Sequence, residues 1–390
     1  MSEGLPALFN ALVGAGSLSQ KVQRSAPMPT RSLGSSGEIM TVSNAANVVY
    51  IPAWQIFAGS TNITGNLLPH CAHVHYNEVL GGKATTLEIA LEDTNHTFQN
   101  NPPRVGLAVS LQIGYQGMPL VSCGNFEVDD WESTGPPDLF ILRAIQAGVS
   151  HAIRTPKSFA YENQTLISIA NTIAARYGMT VLADAVNPDV SYQRLTQRTE
   201  SDLGFLHRIA NAHNYDFKVR GNQIYFYSRP QLESMPPSAP AIDKTDCVRY
   251  RIHEQHVAQR GYGSAVVTYF DPLSKKLLSA QATDPTSLSP DTLKIVERFE
   301  NQQQGALRAQ AHLHAANMHQ LKAEIVIPGT MMYRTGYTVF LNGFGKFDTV
   351  KFIVKEAKHR LDKNGYKTTL ELRTTISGAA TQIISDEDED

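Results

Sequence analysis

The chain has 390 residues, 42% hydrophobic and 18% charged, which supplies apolar material for more than one core and too little charge for a disordered polyelectrolyte. A formal net charge of -2 excludes a global basic field for holding nucleic acid, and no apolar run approaches the roughly 20 residues of a membrane-spanning helix. The 3 cysteines, Cys71, Cys123 and Cys247, are far apart and odd in number, so no disulfide framework is expected and the chain reads as built for a reducing compartment.

Residues 1–47 are rich in Gly, Ser, Ala and Pro and read as a flexible arm, with one short amphipathic stretch from Leu5 to Val13. Glu3 precedes that stretch and no basic residue does, the wrong charge pattern for a secretion signal. Residues 48–157 form a first β-module. Segments 48–51 and 54–57 are strand-like, another strand begins at Leu67, and 72–76 alternates. Val105, Leu107, Val109 and Leu111 fall on one face of a further strand. Residues 158–229 change period. Leu166, Ile169, Ala170, Ile173 and Ala174 share a helical face that Gly178 ends, and Leu203, Leu206, Ile209 and Ala210 share another that Asn214 closes. The strands 215–219 and 223–227, joined through Gly221 and Asn222, complete a small α+β middle domain.

Residues 230–247 are a Pro-rich linker. A second β-module spans 248–373, with a strand at 264–270 and an inserted segment at 272–322. That insertion ends in a helix from Gln304 to Lys322, whose thin apolar stripe is Ala306, Ala309, Leu313 and Ala316. Residues 374–390 form an acidic tail. The two modules repeat one order of segments. Residues 85–91, 106–111, 124–131 and 139–144 return as 323–327, 336–341, 352–356 and 367–373. The expected fold class is mainly β with an α+β insertion, built on an internal duplication.

Chemistry-bearing residues are few in pattern. His70, Cys71, His73 and His75 contain metal-ligand types, and alternate residues share a strand face. No second ligand pair stands at a recognised spacing, so a polar strand face is the reading and no metal or cofactor is expected. His312, His314 and His319 on the inserted helix read as a solvated or interface face. Glu200 and Asp202 stand where acids favour a helix start, with Thr199 or Ser201 as cap. Gly343, Phe344 and Gly345 lack the Lys-Ser/Thr of a phosphate loop and read as a hairpin turn. No catalytic residue is selected.

The run from Gln197 to Ala210, with Gln197, Glu200, Ser201, Asp202, Leu203, Phe205, Leu206 and Ile209 at its fixed positions, resembles a segment of the phage late control D family. These are baseplate hub proteins of contractile-tailed phages, related to the N-terminal region of type VI secretion spike proteins. Gly329, Gly343, Phe344, Gly345, Gly365 and Tyr366 follow the family's order near the end of the chain, and the resemblance runs from about residue 50 to 373. It implies two tail-tube-like β-barrel domains per chain and a homotrimer, so that a threefold spike meets a sixfold tube. It also implies as partners the tail tube protein, a separate central spike protein, other baseplate proteins and a tape-measure protein. DNA would be met only in transit through the channel, and no membrane insertion is expected. The place of work that the resemblance implies is the virion baseplate, assembled in the host cytoplasm. Two alternatives stay open: a hub-associated cell-wall-degrading enzyme, and the hub of a bacteriocin or secretion machine.

Overall fold

The computed structural model of the chain describes residues 50–81, 84–147, 151–183, 190–220, 222–254, 261–271, 275–285, 287, 289–317, 321–374 and 380–382. The arm at 1–47, His319 and most of the acidic tail lie outside the described residues.

The alternating apolar segments assemble into a largely antiparallel sheet of 13 strands. The first module contributes, in spatial order, Cys71–Val79, Thr86–Glu92, Leu139–Gln146, Val121–Thr134, Ala108–Tyr115 and Pro52–Ala58. The second repeats that order with Arg249–Glu254, Leu321–Pro328, Gly365–Thr374, Lys351–Asp362, Thr338–Asn342 and Ile242–Asp243. The likeness extends to the backbone. Gly106 and Gly336 precede equivalent strands with φ of +82° and +86°, a conformation that a Cβ disfavours. The Gly106 amide donates to Val128 O at 2.7 Å, and the Gly336 amide to Val354 O at 2.8 Å. Just beyond each acceptor the partner strand shifts register, between Val128 and Asp130 and between Val354 and Glu356.

The modules stand side by side because Cys71–Val79 pairs antiparallel with Lys351–Asp362, Val79 opposite Glu356 and His73 opposite Asp362. Backbone groups that could close a module on itself are thus satisfied across a seam. Among the described residues the sheet runs open from Arg249–Glu254 to Thr61–Asn62, and no closed barrel is present. The mainly β class and the duplicated order stand. Each module keeps a core, one around Ile56, Ile89, Leu111 and Phe126, the other around Ile325, Val339, Phe352 and Leu370. Leu361 and Tyr366 from the second module enter the first core and tie the two together.

Between the modules, helices Leu166–Ala175 and Asp202–Ala212 bury Ile169, Ile173, Phe205 and Leu206 against Phe217 and Phe226. Gly178 and Asn214, with φ of +64° and +60°, follow these helices as the left-handed residues that stop them. Strands Tyr215–Arg220 and Gln223–Ser228 pair with Arg220 opposite Gln223, the hairpin that the sequence predicts.

Several local expectations change. Val105 is 68% exposed and sits in the turn before its strand, which begins at Ala108, because Gly106 bends the chain there. The strand expected from Leu67 is a helical turn, Thr64–Leu67, followed by a 3-10 turn, Leu68–His70, with Pro69 in its first positions. Strand Ser264–Asp271 does not join the large sheet. It pairs with Lys276–Thr283 and Thr292–Val296, and helix Gln302–Asn317 packs on them around Ala265, Val267, Ala280 and Phe299. These elements all lie between Glu254 and Leu321, the first and second strands of the second module. The helix does not reach Lys322, because Lys322 lies in strand Leu321–Pro328, whose β-branched run Ile325, Val326 and Ile327 enters the sheet.

Candidate functional site: the charged seams between modules

The Gln197–Ala210 motif builds a helix start around a buried charge. Ser201 is the N-cap, its hydroxyl accepting from the Gly204 amide at 3.0 Å. Gln197 is fully buried, and its Nε2 donates to Glu200 O at 2.8 Å and to Asp202 Oδ1 at 2.9 Å. Asp202 is also buried. Lys157 Nζ lies 3.2 Å and Arg176 Nη1 3.4 Å from its carboxylate, and Tyr177 OH donates at 2.5 Å. Burial opposes its charge, but Tyr177, Gln197 and Lys157 outweigh that and hold the carboxyl below the usual range. Glu200 turns outward to Arg208 at 2.6 Å. Phe205, Leu206 and Ile209 are buried and Leu203 half-buried against the same core. The arrangement is one of capping and packing, and it positions the middle unit without presenting a reactive group.

The other motif residues gather elsewhere. Gly343, with φ of +84°, and Gly345, with φ of +70°, flank Phe344 in the loop between two paired strands, Thr338–Asn342 and Lys351–Asp362. Asp348 accepts from the amides of Gly343 at 3.1 Å and Phe344 at 2.7 Å and fixes that loop. Gly365, with φ of +109°, opens the next hairpin, and Tyr366 packs its ring under Gly329 while its hydroxyl meets His359 Nδ1 at 2.9 Å.

Sequence reasoning missed two buried charge clusters that join the units. In the first, Lys218 of the middle unit meets Glu78 Oε1 and Thr335 Oγ1, each at 2.5 Å, so one ammonium touches both β-modules. Burial works against the Glu78 charge, yet Lys218 keeps its carboxyl below the usual range. In the second, Asp216 lies between Arg229 at 3.0 Å and Arg373 at 3.1 Å, and Glu233 lies between Arg373 at 2.9 Å and His314 at 2.7 Å. These residues come from the middle unit, the linker helix Arg229–Ser234, the second module and the inserted helix, so no sequence spacing relates them.

A third cluster lies half-exposed on the sheet face opposite the core. His73 Nε2 is 3.2 Å and His75 Nδ1 3.4 Å from the same oxygen, Glu88 Oε1. Arg143 Nε meets the other oxygen, Oε2, at 3.3 Å, and is itself held by Glu132 at 2.6 Å. Burial first, then the charges of His73 and Arg360, push the His75 imidazole below its ordinary pKa. Cys71 and His70 stand apart from the cluster; the Cys71 thiol is pushed up to about 11 by burial, and His70 packs edge-on against Phe98. Of the inserted helix's histidines, His312 meets Glu297 at 2.8 Å on the surface and His314 is buried. Beside the seam runs a groove of about 980 Å³ whose lining includes Tyr50, Tyr115, Met118, Val248 and Met332. No helix among the described residues is long and apolar enough to cross a membrane.

No protein-family model matches the chain. It is 27% identical over 214 residues to the probable baseplate hub protein of Escherichia phage 186, a match that covers 54% of this chain and 54% of the relative. The chain thus spans about half the length of that curated relative. Among solved structures, it is similar to the 43 kDa tail protein of prophage MuSo2 from Shewanella oneidensis, with a TM-score of 0.63 and 13% identity over 82% of this chain and 98% of that one. It is also similar to a chain of the Francisella PdpA-VgrG complex, with a TM-score of 0.52 and 8% identity over 88% of this chain and 61% of that one. The resemblance to baseplate hub proteins therefore holds: the chain is similar in sequence to phage baseplate hub proteins and has the fold of phage tail proteins.

Proposed function

We propose that the chain is the structural hub of a contractile tail baseplate, in a phage or a phage-derived particle. Three copies would form a ring that presents six equivalent modules, joins a sixfold tail tube to a threefold spike, and lines the channel. The observation that carries this reading is the duplicated six-strand order within one sheet, which lets a threefold assembly offer a sixfold surface. The outer strand Arg249–Glu254 supports it as well. It ends the sheet with almost all of its side chains exposed, an edge that calls for a partner. Exposed Val248, Tyr250 and Met332 add apolar contact surface near that edge.

In this reading the tube protein, the spike, other baseplate proteins and the tape-measure protein are partners, and DNA only passes through. The virion baseplate is the place of work, with assembly in the host cytoplasm. The role is structural and not enzymatic. Light scattering on the purified full chain tests the ring: a mass of three times 42.9 kDa is expected. A chain that stays monomeric at high concentration with its spike protein added refutes it. Turnover of purified peptidoglycan by the chain would refute the non-enzymatic role.

A further inference from the structure

We propose that His73, His75 and Glu88 form a binding site for a divalent transition-metal ion of the zinc type, at the strand that joins the two modules.

The sequence offers only half of this site. His73 and His75 share a face because they are two apart on strand Cys71–Val79. Strand pairing supplies the third ligand by placing Glu88 directly opposite His75. One ligand atom from each residue then falls within a 4.8 Å cluster. Nitrogen and oxygen ligands at about 2.0–2.2 Å around a tetrahedral ion stand about 3.3–3.6 Å apart. The observed separations of 3.2 Å and 3.4 Å from Glu88 Oε1 to the two ring nitrogens are close to such edges, and because the two rings stack with centroids 4.2 Å apart, one imidazole must turn about its side-chain bonds for both nitrogens to face a single ion.

The surroundings fit the same role. Arg143 takes Glu88 Oε2 at 3.3 Å and leaves Oε1 to the site, the orienting function of an outer partner. Glu132 anchors Arg143 in turn, at 2.6 Å. The nearby Arg360 is paired with Asp362 at 2.8 Å, so its charge is partly neutralised beside the histidines. Side-chain exposures of 17%, 33% and 30% for His73, His75 and Glu88 leave the site open to an incoming ion. Two imidazoles and one carboxylate are a borderline-soft donor set that suits zinc, with a water completing the fourth position. A bound ion would crosslink Cys71–Val79 to Thr86–Glu92 beside the seam.

The test uses the full chain, freed of metal by a chelator and then given Zn2+ alone. We expect about one zinc per chain to survive dialysis and the thermal midpoint to rise. Co2+ in its place should show the intense visible absorption of a tetrahedral site. Glu88→Gln and His73→Ala should each weaken binding at least about 100-fold, and Arg143→Met about 10- to 100-fold, the range for an outer partner. His312→Ala, on the surface of the inserted helix, should change nothing. Zinc retained well below one per chain overturns the proposal. So does equal retention by Glu88→Gln and His73→Ala, which would mark surface adsorption. All four side chains point away from the core, and circular dichroism verifies that the variants fold. Should a variant fail to fold, the stoichiometry and cobalt spectrum of the unaltered chain decide the matter.

Discussion

Replacing Arg373 by Met tests whether buried charge holds the units together. Arg373 is 2% exposed and bridges Glu233 at 2.9 Å and Asp216 at 3.1 Å. With Arg229, it balances those two carboxylates within a buried cluster. Methionine fills much of the volume but leaves two buried acids facing one guanidinium, with the His314 ring still beside Glu233. Breaking such a pair on one side costs about 3–5 kcal/mol, a large share of the 5–15 kcal/mol typical of a folded domain. With a urea slope of about 2 kcal/mol/M, the midpoint should fall by about 2 M. Adding Glu233→Gln removes the stranded charge and should restore part of the loss, because Asp216 keeps Arg229 at 3.0 Å. Acid gives an independent check. Burial opposes ionisation of Asp216, but Arg229 and Arg373 hold its carboxyl below the usual range. A depressed carboxyl contributes its stability above its unfolded pKa of about 3.9 and loses it as pH falls through the folded value. Unfolding of the unaltered chain should therefore steepen below about pH 4, and less so in Arg373→Met. A loss under about 1 kcal/mol in Arg373→Met, or no recovery in the double variant, refutes the reasoning.

Two further substitutions probe the motifs. Ser201→Ala removes the cap of helix Asp202–Ala212 and should cost about 1 kcal/mol by chemical denaturation, while Ser201→Asp, which can still cap, should cost much less. Gly329→Ala would set a Cβ 2.0 Å from Tyr366 Cγ, so the ring must leave its place beneath the strand end. A loss of about 1–3 kcal/mol is expected, with partial rescue by Tyr366→Leu; no effect on thermal unfolding would show that the ring can move freely.

Much of the fold was legible because its causes are local. Period-two alternation marked the strands and a 3.6-residue period marked the two middle helices, since each depends only on which side chains share a face. Capping chemistry placed a helix start at Thr199 or Ser201, of which the structure uses Ser201, and the left-handed residues Gly178 and Asn214 marked helix ends. The repeated order was readable for the same reason, even to Gly106 and Gly336, which take one backbone conformation in both copies. Where the reading slipped, a neighbour had overruled the local signal. Ser264–Asp271 has a strand's pattern, but nothing in that pattern says which sheet it joins.

Residue order by itself therefore determined the β-modules, the middle α+β unit and the resemblance of this chain to baseplate hub proteins. Only the tertiary structure decided how the modules meet. It joined Cys71–Val79 to Lys351–Asp362, stretches more than 270 residues apart, and among the described residues it formed one open sheet where two barrels were expected. It also brought Arg373 to Asp216, Lys218 to Glu78 and Glu88 to His73 and His75. The physical reason is common to all of these. Hydrogen bonds and ion pairs act over a few ångströms of space, and pairing between distant strands sets those distances without leaving a spacing in the chain to be read.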